Sequence, residues 1–133
     1  MYTYTTRIKL HETDAAGRLF FAELLKIAHD AYESFLLDHG FPLRDLDTRY
    51  EFSLPIVHAE ADYLGELCAS DKIQVIIHLN KIGASSYILN YDFQKESGEP
   101  VGKVRTVHVV VNLASGKKMP VPDRLKEMLQ TLS

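Results

Sequence analysis

Cysteine is almost absent. Cys68 is the only one in 133 residues, so no internal disulfide can form, which fits a reducing cytoplasm. Standing alone, it reads as a small residue in or near the core. Basic residues are not in excess. Fifteen Lys and Arg against 18 Asp and Glu leave a net charge of −3, and no Lys/Arg stripe runs along the chain. The phosphate-neutralising footprint of a nucleic-acid binder is therefore missing. No apolar run approaches the roughly 18 residues that a membrane-spanning helix needs. Arg7 and Lys9 interrupt the apolar residues near the N-terminus, so no secretory leader is expected. Internal repeats and low-complexity tracts are also missing.

The common catalytic and cofactor motifs are missing too. There is no GxSxG elbow, no GxGxxG, no HExxH and no CxxC. The SGKK at 115–118 lacks the upstream glycine of a phosphate-binding loop. The six histidines, at 11, 29, 39, 58, 78 and 108, show no pairing at familiar metal-ligand spacings. Neither a metal nor a cofactor is expected.

What remains is an ordinary globular composition, 46% hydrophobic and 25% charged. The length predicts one domain over 1–133, large enough to bury a core without disulfides or metal. Residues 2–10 are rich in Tyr and Thr and read as a first strand. Residues 20–38 predict one helix of about five turns. Its polar residues Glu23, Lys26, Asp30 and Glu33 form a single stripe, and the wide apolar remainder predicts a largely enclosed helix. Gly40 and Pro42 stop it. Residues 41–52 read as a connecting loop.

Four strand-like segments follow, at 54–63, 72–80, 85–95 and 101–113. The first alternates, with His58, Glu60 and Asp62 on one face and Val57, Ala59, Ala61 and Tyr63 on the other. In the second and third, Ile73, Val75, Ile77 and Leu79, and Tyr87, Leu89, Tyr91 and Phe93, line single faces. The β-branched run 101–113 reads as a central strand. A short helix opening near Pro122 ends the chain. Short connections predict antiparallel pairing. The class is therefore α+β: a curved sheet of about five strands wrapped around one long helix. Its edge strands need cover, and dimerisation through an edge would supply it.

The polar turn HETDAAGRLFF, 11–21, stands just ahead of the helix. Helix N-termini carry unpaired N–H groups and partial positive charge, which bind anions and polarise carbonyls. Asp14 in that turn either caps the helix or acts as a nucleophile or a base toward water.

The pattern running from Glu12 through Asp14 and Gly17 to the aromatic pair Phe20–Phe21, followed by a helix, resembles the signature of the 4-hydroxybenzoyl-CoA thioesterase class of hotdog-fold enzymes. The order of elements matches over nearly the whole chain. AHDAYESFL (28–36) and LPIVHAEADYLGELCASD (54–71) look like the 1,4-dihydroxy-2-naphthoyl-CoA thioesterases of quinone biosynthesis. The resemblance implies thioester hydrolysis to free acid and CoA. In it, Asp14 is the catalytic carboxylate and the Phe21 backbone N–H holds the thioester carbonyl oxygen. Gly17 lets the turn approach the substrate. It also points to His58 as a substrate-binding residue, and His58 can equally be part of a solvent-facing strand surface. Tyr32 and Tyr63 are candidates for lining the acyl pocket or for core packing, and Ser85 and Ser86 are candidates for substrate binding.

The class's namesake has basic residues near 83–86 for the CoA nucleotide. This chain has Gly83, Ala84, Ser85 and Ser86 there, so Lys81, Lys103 or Arg105 or the turn backbone would have to serve. That departure leaves acyl carrier protein open beside acyl-CoA as the carrier. A homodimer or homotetramer in the cytoplasm is expected. Three other readings remain. One is a general short- or medium-chain thioesterase. Another is a non-catalytic acyl-thioester binding protein. The last is a dehydratase using His29 and Glu33.

Overall fold

The computed structural model describes the backbone of residues 1–133 and every side chain except those of Leu46 and Asp47. Along the chain come β1 (Tyr2–Arg7), α1 (Glu23–Asp38), β2 (Phe52–Ser53), β3 (Ile56–Tyr63), β4 (Lys72–Ile82), β5 (Ser86–Lys95), β6 (Pro100–Val109), β7 (Val111–Asn112) and α2 (Asp123–Gln130). Five of the strands form one antiparallel sheet in the order β1-β4-β5-β6-β3. This is the α+β arrangement expected, a sheet around one helix.

The helix buries Leu24, Ile27, Ala28, Ala31, Tyr32, Phe35 and Leu36. Their spacing of three and four makes one stripe. The facing sheet surface is the alternating set Ile73, Val75 and Ile77 on β4 with Tyr87, Leu89, Tyr91 and Phe93 on β5, all nearly inaccessible. Each such side chain contributes about 1.5–3 kcal/mol by leaving water. Among the described residues no helix is long and apolar enough to cross a membrane.

The structure departs from expectation in three segments: the long helix, 101–113 and 41–52. The helix starts at Glu23, not at residue 20: the Phe20 carbonyl accepts from Glu23 N–H at 2.9 Å, a three-residue turn ahead of the helix, and the Phe20 N–H binds the carbonyl of Glu12 at 2.9 Å. It is also less enclosed than its composition implies, since Leu25 and Leu37 are exposed. The run 101–113 is not one strand. β6 ends at Val109, Val110 donates to Ser85, and β7 pairs with β2 instead. Within the sheet β6 is interior, but β5 is the central strand. Finally, 41–52 is not plain loop: it holds a 3-10 turn at Leu43–Asp45 and a π-turn at Leu46–Tyr50.

One edge of the sheet, β3, is exposed along nearly its whole length. Ile56, Val57, Tyr63 and the adjoining Leu64 all present apolar surface there. Phe20, Phe21 and Leu25 are exposed as well. An eight-residue edge with this much apolar cover is a ready pairing surface.

Candidate active site

The loop before α1 is held from several sides. Thr13 bridges to Leu19, and Arg18 to Cys68. The Leu19 N–H donates to Leu67 O at 2.8 Å. Glu12, only 6% exposed, turns its carboxylate back onto the Lys9 N–H at 2.7 Å and closes a 3-10 turn over Leu10–Glu12. Glu12 thus has a structural role that its place in the sequence pattern did not explain. His11 on the same turn is exposed.

Asp14 sits at the tip. Its Oδ1 accepts from the N–H groups of Ala16 (2.8 Å) and Arg18 (3.2 Å). Its main chain closes the turn, with N–H to Arg18 O at 2.7 Å and C=O from Gly17 N–H at 3.0 Å. Asp14 therefore does not cap α1, which begins nine residues later. It shapes its own loop, and Oδ2 is left without a protein partner among the described residues. Gly17 has φ +78° and open space where a Cβ would stand. Glycine is required by that left-handed backbone, and not by a close protein neighbour.

Phe20 and Phe21 lead into the helix. The Phe20 carbonyl accepts from Glu23 N–H at 2.9 Å. Among the described residues the Phe21 N–H has no acceptor. It lies at the positive end of the helix, where an N–H best meets developing negative charge. The Phe21 carbonyl is taken by the Tyr63 hydroxyl at 2.5 Å. Opposite Tyr63 in the β3–β6 register stands Gly102. A Cβ on Gly102 would meet Leu24 Cδ2 at 3.1 Å, so the glycine lets the first helical turn settle on the sheet.

The other expected substrate-binding residues lie elsewhere in the same chain. Tyr32 is 11 positions along from Phe21, about 16 Å at helical rise. Its hydroxyl pairs with that of Tyr87 at 2.5 Å in the core. Ser86 opens β5 beside Val109, at the far end of the sheet, and Ser85 O accepts from Val110. His58 is about 17 Å up β3 from Tyr63. It stands on the outer sheet face with Glu60, whose Oε1 is 3.1 Å from its Nε2. One protomer thus groups Asp14, Gly17 and Phe21 at one end, and His58, Tyr32, Ser85 and Ser86 toward the other.

Near that second end, His108 is fully buried. Its Nε2 is 2.7 Å from Thr106 Oγ1, which is 3.1 Å from the Tyr91 hydroxyl. Its ring stacks on Tyr87 at 4.7 Å and 5° and lies 4.7 Å from Tyr32. Burial first, and His29 second, lower its pKa to about 3, so it is neutral at pH 7. Burial likewise holds Tyr32, Tyr87 and Tyr91 above the ordinary phenol range.

Two groups drawn into other readings are occupied. His29 Nδ1 lies 3.3 Å from Glu33 Oε1 on the exposed helix stripe, a surface pair one turn apart. Arg105 and Lys103 lie opposite Glu60 and Asp62 on the outer sheet face, and Arg105 Nη1 is 3.5 Å from Glu60 Oε1. With Asp92 also lining that groove, its carboxylates outnumber its two basic side chains, a poor match for a nucleotide's phosphates.

The Thioesterase-like superfamily model matches residues 8–129. A 1,4-dihydroxy-2-naphthoyl-CoA hydrolase of Nostoc punctiforme is 33% identical over 130 residues, covering 98% of this chain and 87% of the relative. The enzyme of that name from Microcystis aeruginosa is 34% identical, covering 98% and 94%. Among solved structures, a 1,4-dihydroxy-2-naphthoyl-CoA thioesterase from Synechocystis superimposes with a TM-score of 0.92 at 29% identity, covering 98% of this chain and 96% of its own. A gentisyl-coenzyme A thioesterase superimposes at 0.83 with 26% identity, covering 96% and 98%. With a sheet wrapped around α1 and an unpaired N–H at the helix entrance, the chain belongs to the thioesterase-like superfamily and is a thioester hydrolase of the hotdog fold.

Proposed function

We propose that the protein hydrolyses 1,4-dihydroxy-2-naphthoyl-CoA to the free acid and CoA, as a homodimer whose sites are shared between subunits. The observation that carries the chemistry is the free Phe21 N–H on the same clamped loop as Asp14. The substrate comes from the near full-length relatives named for it.

In this reading the thioester carbonyl oxygen accepts from the Phe21 N–H. Asp14, through its free Oδ2, either attacks the carbonyl carbon or takes a proton from an attacking water. Attack expels CoA thiolate and leaves a mixed anhydride that water opens. The base route delivers hydroxide to the carbonyl and expels the same thiolate. A thioester is already activated, so one carboxylate and one polarised carbonyl suffice.

The split of site residues between the two ends of one protomer supports the dimer. Antiparallel pairing of two β3 edges about a two-fold axis sets the Ile56 end of one copy beside the Tyr63 end of the other. That brings the two halves of the site together and covers the exposed apolar residues of β3. Binding of the CoA nucleotide falls to the backbone of the Gly83–Ser86 turn or to Lys81, since Lys103 and Arg105 face carboxylates.

A panel of dihydroxynaphthoyl-, 4-hydroxybenzoyl-, phenylacetyl- and butyryl-CoA, with free thiol followed, tests this. Dihydroxynaphthoyl-CoA is expected to give the highest kcat/KM. Preference for butyryl-CoA would replace the substrate with an aliphatic one, and no hydrolysis of any would leave only a binding protein.

A further inference from the structure

We propose that Tyr63 is a positioning residue for the oxyanion donor, acting through its hydroxyl on the carbonyl of Phe21; this rests on the thioesterase reading above. An oxyanion donor works only if it is aimed before the charge develops. The Phe21 N–H belongs to the Phe20–Phe21 peptide unit. That unit's carbonyl is anchored by Glu23 N–H at 2.9 Å, and the preceding unit by Phe20 N–H on Glu12 O at 2.9 Å. The next unit, Phe21–Ala22, is the one left to fix. No backbone N–H of α1 reaches its carbonyl among the described residues. The Tyr63 hydroxyl does, at 2.5 Å and from a strand 42 residues away.

The register explains how. Tyr63 pairs with Gly102, and the missing side chain at 102 lets Leu24 descend, which brings the turn within reach of the hydroxyl. The three bonds hold every peptide unit around the Phe21 N–H and leave that N–H itself unspent. Tyr63 is 52% exposed in a single protomer, outside the packed core, and the geometry points to a role in aiming the turn.

The test is Tyr63→Phe, which keeps the ring and removes the bond. Removing an oxyanion donor outright costs about 10²–10³ in kcat, and loosening one costs a part of that. A fall in kcat of about 10-fold is expected, with KM unchanged and the same factor for dihydroxynaphthoyl- and butyryl-CoA, because the carbonyl is common to both. An unchanged kcat overturns the proposal. So does a loss in KM that varies with the acyl group, which would make Tyr63 a wall of the acyl pocket. A spectroscopic readout accompanies it: with carbonyl-13C phenylalanine labelling, the Phe21 carbonyl resonance should move on going from the native protein to Tyr63→Phe as the hydroxyl bond is lost, and an unmoved resonance also overturns the proposal. Native protein inactive on the whole thioester panel sinks the thioesterase reading and this inference together. Native activity that Tyr63→Phe leaves intact sinks this inference alone.

Discussion

His108 makes acid stability measurable at a single residue. Its ring is enclosed between Tyr32 and Tyr87, its Nε2 is held by Thr106, and His29 is the nearby titratable group that adds to the shift. Burial lowers its pKa from 6.5 to about 3 in the folded chain. In the unfolded chain it returns to near 6.5. Between those values the unfolded state binds the extra proton, so stability is full above pH 6.5 and falls as the pH drops toward 3. The slope approaches about 1.4 kcal/mol per pH unit, giving a loss on the order of 2 kcal/mol at pH 5. His108→Phe keeps the stacked ring and removes the titration. Urea midpoints at pH 8, 7, 6 and 5, at one fixed protein concentration because a dimer adds concentration dependence, should fall more steeply for the native protein. The difference between the two curves should reach about 2 kcal/mol between pH 8 and pH 5. Parallel curves would refute the reasoning, and would mean that His108 charges in place or already meets a compensating group.

Two further predictions concern the loop. Glu12→Ala removes a buried carboxylate from the Lys9 N–H; a loss of about 1.5–3 kcal/mol is expected in urea unfolding, with a lower kcat because the turn that the carboxylate closes carries the Glu12 main-chain carbonyl that holds the Phe20 N–H. Gly17→Ala meets no neighbour but must hold φ +78°; a cost of about 1–2 kcal/mol is expected, read in the same unfolding assay, and full stability would show that the turn adopts another backbone.

The core was legible in the sequence because it obeys local periods. The three-and-four spacing of Leu24, Ile27, Ala31 and Phe35, and the alternation of Tyr87, Leu89, Tyr91 and Phe93, announce their buried faces. The boundaries that went wrong were set by distant bonds. Phe20 sits in a turn closed by Glu23 N–H and tied to the carbonyl of Glu12, and Val110 leaves the strand to bond Ser85. The same division holds at the site. Asp14, Gly17 and Phe21 lie within eight residues, so a linear pattern can carry them. Tyr63 reads in the sequence as a pocket or core aromatic; its bond to Phe21 spans 42 residues, and nothing in its alternating strand announces that bond. His58 and Ser86 looked like companions of Asp14, yet the register of β3, β5 and β6 sets them toward the opposite end of the protomer. In the proposed dimer a second copy would bring them back.

If the loop tip does the chemistry, Asp14→Asn removes it directly. Asparagine keeps an oxygen for the Ala16 and Arg18 N–H groups, so the turn survives while the carboxylate is lost. With saturating dihydroxynaphthoyl-CoA and thiol release followed, kcat should fall by about 10² or more with the melting temperature unchanged. Native turnover in the Asp14→Asn protein would contradict the account and leave Asp14 as no more than the residue that closes its own turn.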